Sequence, residues 1–312
     1  MAPMAPEKIF DEQFLTRLAR LSLMAKRLAR GRSAGGRRSR RLGDGLEFAD
    51  HRHYATGDDI RFVDWPYYAR MEKLLRRLFH EHSESGVIIL LDTSASMAPA
   101  QEQTSRSRRD QYGALSTFDY ARRVAAAMAY VAMAALERVW ICPFAESVQS
   151  PLHTSRSGAN LLGVLDFLAG LCPAGRTDLL GCVRRLVDQA DRPTTVLVIS
   201  DLLDMGQALS QSLAVLSLHH CDVSVVQVYS PELARPLLLG PARLIDAEDG
   251  KTLAVDVTED VVKSYNKRWN VFLAESQRTS RSRGAIYLSA CSDVPLEELV
   301  LLSLRKAGVL VG

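Results

Sequence analysis

The amino-acid sequence predicts an α/β fold with a mostly parallel sheet that is covered by helices on both faces. After Gly86, apolar segments of strand length alternate with segments of helical periodicity. This alternation is typical of right-handed βαβ units. The apolar segments are continuous and rich in β-branched residues, as expected of strands that are buried on both faces of a sheet.

The predicted strands are short apolar runs that are bounded by polar or turn-forming residues. An antiparallel partner is expected for the strand at 139–145, and a hairpin is expected around Asp249-Gly250. In chain order, strands are predicted at Val87–Leu91, 139–145, 147–153, 194–201, 222–230, 242–257 (the hairpin) and 285–290.

The predicted helices show apolar residues three and four positions apart, and the first of them is rich in alanine. In chain order, helices are predicted at 119–137, 160–171, 178–190, 206–220, 259–280 and 295–306. These helices and the strands between them form a predicted domain over residues 86–312.

Residues 1–41 are predicted to form an amphipathic helix followed by a basic arm. Apolar residues recur at helical spacing within 11–30, and Arg17–Arg41 contains ten Lys or Arg and no Asp or Glu. A solvated arm or a surface for an acidic partner is the preferred interpretation of this segment. Binding to nucleic-acid phosphates or anionic lipid is the alternative.

Residues 42–85 mix short extended pieces with a turn, and 66–81 fits either a helix or a strand. We expect this segment to pack on the domain that follows. Its acids favour capping or ion-pairing roles, and Trp65 is expected to bury its ring. A second metal site or a partner-binding site is the alternative for Asp58, Asp59, Asp64 and Trp65, and Arg176 is a further candidate for partner binding.

The composition is that of an ordinary globular protein, with 47% hydrophobic and 24% charged residues and a net charge of +3. The longest apolar helical stretch, Val124–Leu136, is too short for a membrane span, which needs about 20 residues. The five scattered cysteines have no CxxC pair and lie mostly in apolar runs, so reduced, buried thiols and a cytoplasmic location are expected.

Oxygen-bearing side chains follow two of the predicted strands. Asp92, Ser94 and Ser96 come directly after the first strand, at a spacing that lets an extended loop project all three toward one point. Asp201 ends a later strand, and Thr177 precedes a helix. Parallel strands end at one edge of the sheet, where open α/β sheets bind ligands. Two carboxylates and three hydroxyls would suit Mg²⁺ rather than zinc.

A plainer interpretation competes with this one at each position taken alone. Asp and Ser at strand ends often cap the next helix, and Thr177 or Asp201 fits that role. The combination of all five residues in this order favours the cation site.

The five residues Asp92, Ser94, Ser96, Thr177 and Asp201 together resemble the metal-ion-dependent adhesion site (MIDAS) of von Willebrand factor type A domains. This resemblance covers about 86–312 and implies a Rossmann-like, doubly wound fold. It also implies that these residues hold Mg²⁺, with Mn²⁺ or Ca²⁺ as alternatives, for protein binding without catalysis. A partner carboxylate would then complete the metal shell.

The segment Gly43–Arg70 is similar to the signature of a bacterial family called domain of unknown function 58. The matching residues are Gly45, Glu47, Phe48, Arg52, Tyr54, Gly57, Asp58, Asp59, Arg61, Asp64, Trp65, Ala69 and Arg70. The resemblance implies association with a MoxR-type AAA+ ATPase in an adaptor or assembly role.

Two other functions stay open on the sequence alone. A metal-dependent hydrolase of the phosphoesterase type would need a cationic group beside the metal, and Arg176 is the candidate. A nucleic-acid-binding protein would use the basic arm. No Walker A, GxSxG or HExxH motif is present to support another catalytic mechanism.

Overall fold

The chain is described by a computed structural model that covers most of the residues after position 41. The described residues are Thr16, 42–43, 47–55, 59–80, 86–98, 115–134, 137–154, 161–189, 195–203, 205–236 and 239–300. The predicted arm at 1–41 lies outside them, except that Thr16 is helical. The chain divides into two compact units, and the smaller of them ends at Ser85.

The smaller unit contains a three-stranded antiparallel sheet. Its strands are β1 (Leu42–Gly43), β2 (Glu47–His53) and β3 (Leu75–His80), in the order β1-β3-β2. A 3₁₀ turn (Ile60–Phe62) and helix α1 (Trp65–Met71) connect β2 to β3. The stretch 66–81, whose sequence fits either a helix or a strand, therefore contains both: it begins in helix α1 and continues into strand β3.

The larger unit is built on a six-stranded sheet. Its strands are β4 (Gly86–Asp92), β5 (Arg138–Phe144), β6 (Leu152–Thr154), β7 (Thr195–Ser200), β8 (Asp222–Tyr229) and β11 (Ile286–Cys291). Their order is β11-β8-β7-β4-β5-β6, and only the edge strand β6 is antiparallel to its neighbour. Counted within this sheet, the order is that of the doubly wound Rossmann fold, so the predicted fold class is confirmed.

Helices flank this sheet at the positions that the sequence predicts. They are α2 (Thr117–Ala134), α3 (Leu161–Gly170), α4 (Leu179–Gln189), α5 (Gly206–Leu218), α6 (Pro231–Ala234) and α7 (Glu259–Ser282), and residues 296–300 are also helical. The short helix α6 was not predicted, because four residues are too few to show a helical period. No helix in the described part of the chain combines the length and apolarity that crossing a membrane requires.

The central strand β4 is buried along its whole length and supplies both faces of the core. Ile89 and Leu91 belong to the cluster that contains α2 and α3 residues, whereas Ile88 and Leu90 belong to the cluster with α4 and α5 residues. Successive side chains of a strand point to opposite faces, so a continuous apolar run satisfies both layers. This packing holds the carboxyl end of β4 rigidly in the centre of the sheet.

The predicted hairpin is confirmed and forms a separate two-stranded sheet. Strands β9 (Gly240–Ile245) and β10 (Thr252–Val257) pair antiparallel, with Thr252 opposite Ile245. Gly250 lies in the turn with a φ of 71°, a left-handed conformation that glycine adopts without strain.

All five cysteines are free, but they differ in exposure. Burial raises the pKa of the Cys142 thiol to about 12 and that of Cys182 to about 11. Cys172 is exposed, so the prediction of a buried thiol is wrong at that position.

Alkylation of the folded protein with iodoacetamide at pH 8 is expected to modify Cys172 first and to leave Cys142 and Cys182 unmodified. The thiolate is the reactive form, and burial disfavours it while also blocking access of the reagent. Peptide mass spectrometry over a time course would measure the order, with Cys172→Ser as the control. If Cys142 in the folded protein were labelled as fast as Cys172, the burial of Cys142 would be contradicted.

Candidate metal centre

Asp92 is the last residue of β4 and is fully buried. Its Oδ1 accepts a hydrogen bond from the Ser94 amide (2.9 Å), and its Oδ2 accepts one from the Ser200 hydroxyl at the end of β7 (2.6 Å). The carboxylate is therefore fixed between the ends of two adjacent parallel strands, as the sequence predicts for a site at this sheet edge.

Ser94 and Ser96 place their hydroxyl oxygens 2.9 Å apart. The prediction of an extended loop is wrong here, because Ala95–Met97 form a 3₁₀ turn. The turn nevertheless brings the two hydroxyls together next to Asp92. A hydroxyl pair at this distance leaves lone pairs free for a cation.

The loop between α3 and α4 is hydrogen-bonded to the segment after β4. The Ala174 amide donates to the Thr93 carbonyl (2.8 Å), and the Ala95 amide donates to the Gly175 carbonyl (2.9 Å). Gly175 has a φ of 81°, a left-handed conformation that glycine adopts without strain. These bonds hold Thr177 beside the Asp92 segment, although the two are distant in sequence.

Thr177 does not cap helix α4, so that alternative is wrong. The side chain that accepts from a first-turn amide is Asp178, whose Oδ1 bonds the Gly181 amide at 2.9 Å. The Thr177 hydroxyl instead donates to Glu248 Oε1 at 3.2 Å.

Asp201 follows β7 and is 2% exposed. Its Oδ1 accepts from the Leu203 amide (3.0 Å), and its Oδ2 is buried without a hydrogen-bond partner in the described part of the chain. It does not cap α5, which begins at Gly206 without a side-chain cap on Met205. A buried, unpartnered carboxylate oxygen is costly and calls for a ligand.

The backbone around Asp201 is held in place by buried neighbours. The Asp201 carbonyl accepts from Gln227 Nε2 (2.9 Å), and the Tyr287 hydroxyl donates to Gln227 Oε1 (2.6 Å). Leu202 has a φ of 59°, a left-handed conformation that is strained for leucine and that its burial maintains. Such strain is typical of positions where the fold fixes a functional side chain.

Electrostatics at this edge favours a cation. Burial raises the pKa of Asp92, and burial together with the Asp92 charge raises the pKa of Asp201 to about 7. The Ser96 hydroxyl, which bonds Ser94, lies near enough to Asp201 to lower its pKa in part. Two buried carboxylates repel each other, and a divalent ion between them would remove this cost.

The residues present fit a hard cation such as Mg²⁺. The oxygen ligands available are those of Asp92, Ser94, Ser96, Thr177 and Asp201. Among the described residues, no three His, Cys, Asp or Glu side chains cluster as a metal site by themselves. A site of this kind would therefore depend on the hydroxyl ligands as well as the carboxylates.

Glu248 is a residue of this site that the sequence interpretation missed. It lies in the β9–β10 turn, contacts Thr177, and its charge raises the pKa of both Asp92 and Asp201. The sequence offers no signal for this, since nothing in the spacing relates the hairpin turn to strand β4. Arg176, the predicted cationic group, lies 3.7 Å from Asp249 of the same turn.

Two acidic residues of the smaller unit, Asp59 and Asp64, accept hydrogen bonds from backbone amides of the same unit. Asp64 caps α1, with Oδ1 accepting from the Tyr67 amide (2.9 Å) and Oδ2 lying 2.8 Å from His51 Nε2. Trp65 is 54% exposed and meets Tyr68 edge-on, so the prediction that it buries its ring is wrong. Asp59 accepts from the Phe62 amide through its backbone carbonyl, and Asp58 lies outside the described residues.

Comparison with solved structures finds proteins of low sequence identity. BatB from Bacteroides thetaiotaomicron is 15% identical, with 72% of this chain and 98% of that chain covered and a TM-score of 0.42. An aerotolerance-related membrane protein from Bacteroides fragilis is 16% identical, with 71% and 99% covered and a TM-score of 0.39. The SpRpn10 VWA domain is 8% identical, with 73% and 99% covered and a TM-score of 0.34. No curated protein matches the chain.

A family model described as "Protein of unknown function DUF58" matches residues 50–271. The match includes the end of the signature segment, all of β4 and β7, and the hairpin. Because it spans most of the chain, the protein belongs to the DUF58 family, and its larger unit has a doubly wound, Rossmann-like fold.

Proposed function

We propose that the protein is a divalent-cation-dependent protein-interaction module. Asp92, Ser94, Ser96, Thr177 and Asp201 would hold Mg²⁺, directly or through water. With two anionic ligands the ion keeps positive character toward an incoming group, and a carboxylate of the partner would complete its shell. The single observation that carries this proposal is the buried Oδ2 of Asp201, which has no hydrogen-bond partner in the described part of the chain and lies near a second buried carboxyl group, that of Asp92.

The proposed partner is a MoxR-type AAA+ ATPase or its client, with this chain as an adaptor. The support is membership of the DUF58 family, together with the association that the sequence resemblance implies. In this role the metal would attract and orient an acidic side chain, and the protein would carry out no chemical step.

A hydrolase is less well supported by the surroundings of the site. Arg176 is the cation that such a mechanism needs, yet its guanidinium lies against Asp249 and is largely exposed. Ser94 and Ser96 bond each other, which suits ligands better than nucleophiles. The nucleic-acid alternative depends on the basic arm and rests on composition alone.

Capture of a MoxR-type ATPase by the immobilised full-length protein is expected in 5 mM Mg²⁺ and not in EDTA. Purified ATPase and a lysate from a bacterium that encodes both proteins would each be passed over the resin and quantified by mass spectrometry. Equal capture with Mg²⁺ and with EDTA would contradict the proposal that a bound cation joins the two proteins. Release of phosphate from generic phosphoesters would favour the hydrolase instead.

A further inference from the structure

Helix α1 of the smaller unit has no buried residue, although most of its seven side chains are apolar or aromatic. Trp65, Tyr68 and Met71 follow one another at three-residue spacing, which makes each the neighbour of the next on the helix surface. Ile60 in the preceding 3₁₀ turn and Leu74 after the helix are also exposed. The exposed fractions of these five side chains lie between 39% and 63%. We call Ile60, Trp65, Tyr68, Met71 and Leu74 the α1 patch.

The helix that carries the α1 patch is held by bonds within its own unit. Asp64 caps its start through the Tyr67 amide (2.9 Å), and the Glu72 amide closes its end on the Tyr68 carbonyl (2.9 Å). The Tyr67 ring lies 5.5 Å from the ring of His51 in strand β2. Tyr67 therefore attaches the helix to the sheet of the smaller unit, while the α1 patch stays exposed to solvent.

The composition of the α1 patch indicates what it binds. Single exposed apolar side chains are ordinary on a protein surface, but a contiguous apolar patch marks a site of protein or membrane contact. Trp and Tyr are the residues enriched at the interface between a membrane and water. Ile60, Met71 and Leu74 have no aromatic face on which a nucleic-acid base could stack. The patch therefore favours a lipid surface over single-stranded nucleic acid.

Basic residues accompany the α1 patch. Arg70 and Lys73 are exposed beside it, and Glu72 is the one acid among positions 65–74. The segment Arg17–Arg41, which immediately precedes β1, holds ten Lys or Arg and no Asp or Glu. Basic segments next to an apolar anchor are attracted to the negatively charged surface of a membrane. A protein partner would need an acidic surface of matching extent, whereas an anionic bilayer offers one at every position.

We propose that the α1 patch and the basic segment Arg17–Arg41 dock the protein on the surface of an anionic lipid bilayer. The apolar side chains of the patch enter the boundary between headgroups and acyl chains, and the basic side chains bind the phosphate headgroups. Helix α1 has seven residues, far fewer than the about 20 that span a bilayer, so it lies at the surface. The inference goes beyond the proposed function and does not rest on it, because it uses none of the proposed metal ligands.

Co-sedimentation with lipid vesicles tests this inference on the full-length protein, in EDTA so that the candidate metal centre takes no part. We expect binding to vesicles of phosphatidylcholine with phosphatidylglycerol to be at least about 10-fold tighter than to phosphatidylcholine alone, and to weaken as NaCl is raised. The double variant Trp65→Gln, Met71→Gln should bind about 10-fold more weakly, because two apolar side chains no longer leave water. Leu218→Gln, which changes a still more exposed apolar residue on α5, should bind like the wild type.

Tryptophan fluorescence shows whether the α1 patch itself meets the lipid. Trp65 is exposed, whereas Trp269 is buried and Trp140 is partly buried, so a blue shift of the emission on vesicle binding is expected from Trp65. Trp65→Phe keeps an apolar ring and should retain most of the binding while losing the shift. Circular dichroism of each variant establishes that the fold is retained.

Four results would overturn the inference. The first is no binding of the wild type to vesicles that contain phosphatidylglycerol, or equal binding to neutral vesicles. The second is full binding by the double variant, which would assign the attraction to the basic segment alone. The third is quenching of Trp65 by a single-stranded oligonucleotide without vesicle binding, which would assign the patch to nucleic acid. The fourth is self-association that the double variant abolishes, again without vesicle binding, which would assign the patch to a second copy of this chain.

Discussion

Asp92→Asn is expected to lower the affinity of the protein for Mg²⁺ by at least about 100-fold, since a direct ligand matters at least as much as an outer-shell residue. The carboxylate lies at the end of the central strand, where two adjacent parallel strands meet. Asparagine keeps an acceptor for the Ser94 amide but removes the negative charge. The variant therefore tests the ligand role without the buried gap that alanine would leave.

Titration calorimetry of the purified full-length protein would measure the loss, and the Mg²⁺-dependent capture described above should disappear with it. Asp166→Asn, an exposed acid on α3, is the matched control and should bind Mg²⁺ like the wild type. Thermal unfolding in EDTA distinguishes a lost ligand from a damaged fold. A variant that binds Mg²⁺ as tightly as the wild type would exclude Asp92 from the site.

Asp201→Asn is expected to raise the free energy of unfolding at pH 8 in EDTA, by about 1–3 kcal/mol, while abolishing stabilisation by Mg²⁺. In the wild type at this pH, Asp201 is ionised in a buried site, because its pKa is raised to about 7, and its Oδ2 has no hydrogen-bond partner among the described residues. Asparagine keeps an acceptor for the Leu203 amide and removes the buried charge. A substitution that stabilises the protein and removes its ligand response is characteristic of a functional site.

The raised pKa of Asp201 also sets the direction in which the stability of the metal-free protein changes with pH. The pKa of Asp201 is higher in the folded protein than the ordinary value of 3.8, so folding binds a proton between pH 4 and about 7. The stability that this group contributes is fully present below its unfolded pKa and is lost as the pH rises through the folded pKa. Wild-type stability in EDTA should therefore fall over this range, by up to about 1.4 kcal/mol per pH unit from this one group.

Urea unfolding at several pH values, for the wild type and Asp201→Asn in EDTA, isolates this contribution as the difference between the two curves. Saturating Mg²⁺ should oppose the fall in the wild type and leave the variant unaffected. Parallel pH profiles for the two proteins would show that Asp201 is an ordinary buried residue with no part in a cation site.

The sequence predicted the positions of two of the proposed ligands, Asp92 and Asp201, because both follow from where strands end. Asp92 and Asp201 end continuous apolar runs, and such runs become adjacent parallel strands because both of their faces need covering. Chain order and periodicity were enough to expect both carboxylates at one edge. The sequence could not decide whether Thr177 and Asp201 cap a helix or serve as metal ligands. Capping depends on which side chain accepts a hydrogen bond from a first-turn amide, and this is fixed only in the folded chain.

The features that sequence reasoning missed are decided by long-range packing. Trp65 has a large aromatic ring of the kind that is usually buried, yet it is exposed. Its exposure depends on which residues pack against helix α1, and the local sequence pattern does not encode those contacts. Glu248 is an acid in a turn, and turns are ordinarily rich in acids. Only the folded chain reveals that it contacts Thr177, 71 residues away in sequence.

The sequence by itself determined the alternating architecture, the order of its elements, and the three segments that carry the proposed oxygen ligands. These follow from hydrophobic periodicity and from the rule that parallel strands end together, which are local and topological properties. The tertiary structure alone decided that Glu248 of the hairpin turn contacts Thr177, and that Oδ2 of Asp201 is buried with no hydrogen-bond partner among the described residues. The physical reason is that charge and burial at a site are sums over neighbours from distant parts of the chain, and only the fold specifies which neighbours those are.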